Sequence, residues 1–559
     1  MFRFRKALAV SGLTLLVVAC GPSNDGPSKE KEEGPAGPGI SKVSITQNPN
    51  NRLSAIVEAY TDPPAPLTLQ IRRDGETVQT LGPTKAAERH EINVLGLHAD
   101  TDYDFKFSAE KGDDSWEQSE SYGTQPLPDN FPPIEVKTSK PEQAADGIRL
   151  MSLYRWQKPG GGYGYDEGWG MIVGIDQTGE VVWYYKADHW TWNAYRLSNG
   201  NLLYIIADHA AVEIDMMGNV VNRWDSNEDL GRKPKKGTFG IHHSVIEQDD
   251  GNFVALSTEL QKVEGFEKSG KKSNVIGDAA VEFNRKGEVL NTWTLFDVLS
   301  DYTTRRRYGS GGPKWNDEYG KDTQDWSHAN ALNFGDEPGT LIASLRHQDW
   351  VVKWDRETGD LLWRLGPEGD FEFPNGSDGE FNYHQHAPNW LENGNLILYD
   401  NGSYRESVEP GERFYTRVVE FELDASNVDI ENGKKGTVKQ VWESKRPPKY
   451  YAPHVGDAEG LPNDTIMISD GGLLENPKAC HSFDKNGDPV NRTWSCIANP
   501  KNLNWARLVE VTHDKKKEKV LEVWIKDTSD KKPRGYTMYR AEYLDSLYPN
   551  GAADSSDGS

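Results

Sequence analysis

The feature that most restricts this chain is a hairpin that recurs throughout the sequence after residue 146. Four copies stand out: Val173-Gly-Ile-Asp-Gln-Thr-Gly-Glu-Val-Val-Trp183, Val212-Glu-Ile-Asp through Trp224, Val281-Glu-Phe-Asn through Trp293, and Val352-Lys-Trp-Asp through Trp363. A fifth copy is stretched, from Arg417-Val-Val-Glu-Phe to Trp442, and a sixth runs from Arg507-Leu-Val-Glu-Val to Trp524. Each has an apolar run, an Asp, Asn or Glu, and a closing Trp; the first four place a Gly three or four residues after the Asp or Asn, as tight turns require. Asn-Gly or Asp-Gly turns precede several of the apolar runs. Helical periodicity is nearly absent, which excludes a helical solenoid. A short hairpin cannot bury both faces alone, so repeats of this kind stack on one another. The expected fold class is therefore all-β, with six units of four strands closing into a six-bladed β-propeller over residues 147–548.

The segments outside the repeat read differently. Residues 1–20 have a basic start (Arg3, Arg5, Lys6), an apolar run too short to span a bilayer, and Val17-Val18-Ala19-Cys20. This resembles a lipoprotein signal, with lipid on Cys20 as the expected membrane attachment. Gly21 in place of Asp points to the outer membrane of a Gram-negative envelope, on its periplasmic face or at the cell surface. Residues 21–40 are polar and rich in Gly and Pro, hence a flexible tether. Residues 41–125 alternate in short runs bounded by Pro, Asn or Asp-Gly, as in an antiparallel β-sandwich. Leu97-His-Ala-Asp-Thr-Asp-Tyr103 resembles the tyrosine corner of fibronectin type III domains. Residues 126–146 read as a linker and 549–559 as a disordered tail. Once Cys20 is lipidated, Cys480 and Cys496 are the two thiols left of three, and export makes them a disulfide. They bracket an insertion in the last unit, with a turn at Asn486-Gly487.

The charge balance restricts the partners. With 63 Lys and Arg against 87 Asp and Glu, the net charge is -24, which repels phosphate backbones and excludes nucleic acid as a partner.

The chemistry lies where histidines recur at one repeat position. Trp192, His243 and His386 each stand eight residues before the Gly of a Gly-Asn pair, and His328 takes the same place before Gly339 with three extra residues in its turn. His454 lies close to that register. Arg346 follows His328 by eighteen residues, at the far end of the same inner strand or in the turn beyond. In a propeller this position faces the central channel. Recurring imidazoles suit a zinc or copper site or a site for an oxyanion. An adjacent guanidinium repels a dication and no carboxylate shares the position, so the anion site is preferred, with no metal and no cofactor.

These residues also carry a family resemblance. Ile241-His242-His243, Asp325-Trp326-Ser327-His328-Ala329-Asn330, Ser344-Leu345-Arg346-His347, Asp360 to Gly366, Gln385-His386-Ala387, Asn393 to Gly402 and Gly535 to Glu542 together resemble bacterial aryl-sulfate sulfotransferases. The resemblance implies a sandwich before a six-bladed propeller. It also implies transfer of a sulfuryl group from an aryl sulfate to a phenol, by a ping-pong route and without a nucleotide donor. It makes His386 the transiently sulfated residue, and His243, His328 and Arg346 the groups that bind sulfate and assist transfer. The choice of His243 over His242 rests on register. Asn330, His454, Trp192, Trp326 and Tyr536 are expected to line the substrate site. Some members have a disulfide near the active site, whereas this chain has no Cys between Arg346 and His386. The competing expectation is a non-catalytic propeller, a scaffold or binding lipoprotein. A quinone-dependent dehydrogenase would need more repeats and calcium-ligating carboxylates, and the known sulfatase type needs an α/β fold.

Overall fold

The computed structural model describes residues 38–155, 157–158, 162–163, 168–206, 210–225, 239–266, 272–305, 323–374, 379–409, 412–447, 450–475, 477–480, 496–497, 502–529 and 535–549. The signal with Cys20, the tether up to residue 37, the tail from residue 550 and the Asn486-Gly487 turn lie outside these residues. The described protein is almost entirely β.

Residues 39–123 form a three-stranded and a four-stranded antiparallel sheet. Their alternating sequence explains the packing. Along Ala55–Ala65 every second residue is buried for most of the strand, because successive side chains of a strand point to opposite faces. The inward residues, among them Val57, Leu69, Ile92, Phe105 and Phe107, form one core. The Tyr103 hydroxyl accepts a hydrogen bond of 2.8 Å from the backbone N–H of His98, pinning the chain entering its strand.

From residue 134 onward, six sheets of four or five strands follow one another. Five of them start at the strands Thr191–Arg196, Phe239–Glu247, Ala329–Phe334, His386–Trp390 and Asp457–Gly460. The sixth has Tyr536–Leu544 in the equivalent place, paired with Ile148–Arg155. These inner strands touch in cyclic order, each against the next, and Tyr536–Leu544 touches Thr191–Arg196 to complete the circuit. The two ends of the body are thus joined by pairing of its last strand with Ile148–Arg155. A second joint lies in residues 126–146. The segment expected as a linker contains the strand Ile134–Ser139, which pairs with Lys519–Ile525 as the fifth strand of the final sheet. Its side chains are mostly exposed, so an edge strand here carries the polar composition of a linker.

The structure gives each part of the repeated hairpin a job. The Asp or Asn closes its own turn: Asp176 Oδ1 accepts from the N–H groups of Thr178 and Glu180 at 2.8 and 3.1 Å, and Asp355 Oδ1 accepts from those of Glu357 and Thr358 at 2.8 Å each. The Gly that follows has positive φ, +91° at Gly179 and +78° at Gly359, where a side chain would be strained. The closing Trp ties one sheet to the next. The indole N–H of Trp183, Trp224 and Trp293 donates to the carbonyls of Met216, Arg285 and Arg356 at 2.9, 3.0 and 2.9 Å. Each acceptor sits in the hairpin turn of the following unit. Apolar residues fill the space between sheets, as where Val254 and Leu256 meet Leu341, Ala343 and Val352.

Cys480 and Cys496 are disulfide-bonded. They belong to the insertion between Thr465–Leu474 and Asn504–Thr512. The pair packs with Tyr404, Phe414 and Tyr451.

Candidate active site

His386 opens its inner strand, His328 and His454 stand one and three residues ahead of theirs, and His243 lies in the middle of Phe239–Glu247; near three of the four the pairing with the second strand is interrupted. Register shifts fall between Trp192 and Tyr195, His242 and Val245, Ala329 and Ala331, and His386 and Asn389. Left-handed backbone marks the same places, with φ of +31° at Asn193, +55° at His243, +47° at His328 and +46° at Ala387. A bulge bends its strand and re-aims side chains, and left-handed geometry outside glycine is a strain that clusters at functional sites. Here it turns imidazoles from separate sheets towards one another.

His243 lies with its ring centroid 4.7 Å from Trp192, 5.6 Å from His328 and 6.0 Å from Tyr539. Trp192 in turn stacks on Tyr539 at 5.1 Å. Burial, and then the repulsion that protons on His242, His328 or His386 and the charge of Arg540 would add, hold the His243 imidazole well below its ordinary value, so it is neutral. His386 is neutral for the same first reason, with Arg346 as the largest charge acting on it. Its Nδ1 lies 2.6 Å from Asn401 Oδ1. The Asn401 amide is oriented by its Nδ2, which donates to the carbonyls of Ala452 and Val455 at 2.8 and 2.9 Å. The oxygen therefore faces His386 and accepts from Nδ1–H, leaving Nε2 with its lone pair. Asn401 was within the quoted Asn393–Gly402 stretch but carried no role there; a buried Asn is visible only once its partners are.

Arg346 stands at the start of a 3-10 turn, Arg346–Gln348, after the second strand of its sheet, Thr340–Leu345. The expectation that it ends the inner strand or occupies the turn just beyond is corrected here. The hairpin returns it beside His328, whose carbonyl accepts from the Arg346 N–H at 3.2 Å. One guanidinium N–H donates to the Pro453 carbonyl at 3.2 Å, next to His454. Burial lowers the Arg346 guanidinium from its ordinary value, and burial with Arg346 pushes His454 down to about 3. Tyr404 and Tyr451, which line the Cys480–Cys496 cluster, act electrostatically on Arg346. His328 Nδ1 lies 2.7 Å from Asp325 Oδ2, and its ring stacks on His347 at 4.5 Å.

Other expected residues lie elsewhere. Asn330 is buried and its Nδ2 donates to the Gln385 carbonyl at 2.8 Å, tying the strand of His328 to the residue before His386. Trp326 packs face to face on Phe296 and donates its indole N–H to the Arg305 carbonyl. Tyr536 packs against Trp169, and its hydroxyl accepts from Arg155 at 3.1 Å.

Asp325, His328 and His347 are the one group of three among the described residues with metal-binding atom types within 4.8 Å of one another. Both Nδ1 atoms are already engaged, His328 Nδ1 with Asp325 Oδ2 and His347 Nδ1 with the Asp325 carbonyl at 2.9 Å. A cation that used either Nδ1 would have to displace these bonds. Burial holds His347 at about 3, and this gives a stability prediction. The unfolded imidazole takes up a proton below its ordinary value of about 6.5 while the folded one does not, so stability present above that value is lost as pH falls towards 3. Between about pH 7.5 and about pH 5.5 the His347 contribution falls by about 1 kcal/mol. Denaturant unfolding of His347→Gln at the two pH values should show a pH-dependent loss smaller by that amount.

Below the imidazoles the inner strands enclose a cavity of about 470 Å³, lined by one or more residues of each, including Asn193, Val245, Ala331, Pro388, Asp457 and Arg540.

Residues 134–540 match the family described as Arylsulfotransferase (ASST), well over half of the chain. No curated protein matches. Among solved structures, the chain is similar to the periplasmic gluconolactonase PpgL of Pseudomonas aeruginosa, at 12% identity over 85% of this chain and 99% of that one, with a TM-score of 0.31. BamB from Moraxella catarrhalis gives 12% identity over 81% and 98%, with a TM-score of 0.24. Kuenenia stuttgartiensis hydrazine synthase gives 10% over 57% of this chain, which spans only 62% of that one, with a TM-score of 0.26. Likenesses this loose say nothing about chemistry.

Proposed function

The chain belongs to the arylsulfotransferase family, and from that premise we propose that it moves a sulfuryl group from an aryl sulfate to a phenol through a sulfo-histidine on His386. The observation that carries this reading is the Asn401–His386 bond, which leaves a neutral imidazole with Nε2 bare within the field of Arg346.

Sulfuryl transfer resembles phosphoryl transfer in its loose transition state, with charge spread over three oxygens. Position and fixed positive charge therefore supply most of the catalysis. In the first half-reaction His386 Nε2 forms a bond to sulfur while the sulfur–aryl oxygen bond breaks, and the departing oxygen takes a proton from His328 Nε2. Asp325, 2.7 Å from His328 Nδ1, holds that ring in place. Nδ1–H of His386 stays on Asn401, so the adduct is a sulfo-imidazolium. A neutral amide makes the imidazole less basic than a carboxylate would, and so a better leaving group in the second half. There the phenol oxygen bonds to sulfur, the nitrogen–sulfur bond breaks, and the phenol proton passes to an imidazole of the site. Arg346 grips the sulfuryl oxygens, and Trp192 offers an aromatic face to the aryl ring.

The same reading extends to the architecture. The ring of six sheets supports a six-bladed β-propeller, and the two sheets with their Tyr103 corner support a fibronectin type III-like sandwich. Lipid on Cys20 would hold both at the periplasmic face of the outer membrane.

The test is steady-state kinetics of soluble protein lacking residues 1–20, with 4-nitrophenyl sulfate as donor. Phenol should accelerate nitrophenolate release, with parallel double-reciprocal lines and no loss of rate on chelation. Release indifferent to phenol would refute transfer.

A further inference from the structure

Behind His243 lies a chain of buried groups that the reaction above does not use. His242 Nδ1 is 2.8 Å from His243 Nδ1. His242 Nε2 is 3.2 Å from Asp278 Oδ1, an ion-pair distance although oblique for a straight hydrogen bond. Both residues are 3% exposed. The other Asp278 oxygen accepts from Ser327 Oγ and from the Ala329 N–H, each at 2.6 Å, so the carboxylate is fixed against the entrance to the strand that His328 precedes.

We propose that Asp278 and His242 form a proton relay behind His243, making His243 the group that takes the proton of the incoming phenol. This rests on the sulfuryl-transfer reading and deepens it.

The relay takes His242 as neutral at rest, and donor and acceptor counting then sets the two tautomers. A carboxylate offers only lone pairs, so the nitrogen facing it, His242 Nε2, carries a proton. Neutral His242 then has a bare Nδ1. Between two Nδ1 atoms 2.8 Å apart one must donate, so His243 carries its proton on Nδ1 and presents a bare Nε2 to the site. When the phenol oxygen attacks sulfur, its proton goes to His243 Nε2. The His243 Nδ1 proton moves to His242 Nδ1, and the positive charge comes to rest on His242 beside Asp278. The relay thus carries charge away from a site already crowded by Arg346 and Arg540, both of which disfavour a second cation near them. To complete the cycle His242 Nδ1 returns its proton to His243 Nδ1 as the Nε2 proton passes from His243 to His328, whose ring centroid is 5.6 Å away. His242 and Asp278 are positioning residues; His243 alone touches the substrate.

The relay separates acceptors by whether they bring a proton. Asp278→Asn keeps the shape, and its oxygen can still accept from Ser327 and Ala329. Its amide then donates to His242 Nε2, which reverses both tautomers and gives His243 an N–H where the phenol needs a lone pair. With one aryl sulfate donor in mildly alkaline buffer, turnover is measured with phenol and with 4-nitrophenol, which is already ionised. The rate ratio of phenol to 4-nitrophenol should fall about tenfold or more in the variant. A purely structural role would slow both acceptors alike and leave the ratio unchanged, which overturns the relay. Where Asp278→Asn fails to fold, His242→Gln gives the same readout, since an amide cannot pass the charge. If the wild-type protein sulfates neither acceptor, the functional reading itself fails and the relay falls with it. An active wild type with an unchanged ratio in the variant defeats the relay alone.

Discussion

Replacing His386 with Asn abolishes phenol-dependent nitrophenolate release, by about a thousandfold or more, because a removed nucleophile cannot be replaced by the groups that surround it. The substitution suits the site, since Asn is small, polar and able to keep a hydrogen bond to Asn401. Folding should survive it, which far-ultraviolet circular dichroism and the unfolding midpoint would verify. His386 is 4% exposed and contributes to no apolar cluster among the described residues, so its loss leaves packing largely in place. The depressed imidazole adds a qualification on pH. Because burial and Arg346 keep His386 neutral, the wild-type donor half-reaction does not lose its nucleophile when pH drops through the ordinary histidine range. A scaffold or binding module of the same fold predicts the opposite of the main result, namely no turnover to lose and indifference to the substitution.

The second large effect is expected from Arg346→Lys. Formal charge is conserved, yet kcat/KM should fall about a hundredfold to a thousandfold. A guanidinium presents its donors in a plane that matches two sulfuryl oxygens at once, and among the described residues one of its N–H groups is held, by the Pro453 carbonyl. An ammonium offers a point charge on a flexible four-carbon stem that reaches less far. Burial also acts differently on the two side chains. It lowers the Arg346 guanidinium, but arginine begins so high that it stays charged, whereas a buried lysine readily gives up its proton. The discriminating measurement is the pH dependence of the variant. Activity partly restored at lower pH indicates a deprotonated lysine, and a uniformly low rate indicates the missing fork. Near-normal turnover at all pH values would argue against a clamp.

The repeat was legible because its parts do local work. An Asp or Asn that closes a turn, a Gly that needs positive φ and a Trp that reaches the next turn recur at similar spacing in the first three units, so they survive as pattern. Histidine register was legible for the same reason: an irregularity in the pairing recurs at or just after His243, His328 and His386. What stayed hidden depends on partners far away in sequence. Ile134–Ser139 is an edge strand with mostly exposed side chains, and an exposed strand has the composition of a linker. Arg346 follows the second strand of its sheet, because spacing along the chain does not tell whether eighteen residues cover one strand or go out and back. Asn401 and Asp278 are polar residues buried among other polar groups. Nothing in their immediate neighbours distinguishes them from surface positions. Trp326 has a core position beside Phe296, and tryptophans of that kind look the same in sequence whether they face a ligand or a neighbouring sheet.

The most direct test of the whole account is to mix the protein with 4-nitrophenyl sulfate alone, quench, digest and locate the sulfuryl group by mass spectrometry. The account predicts one equivalent on the peptide containing His386, lost again when phenol is added before the quench. A sulfuryl group on any other residue, or a burst of nitrophenolate with no adduct on the protein, would contradict it.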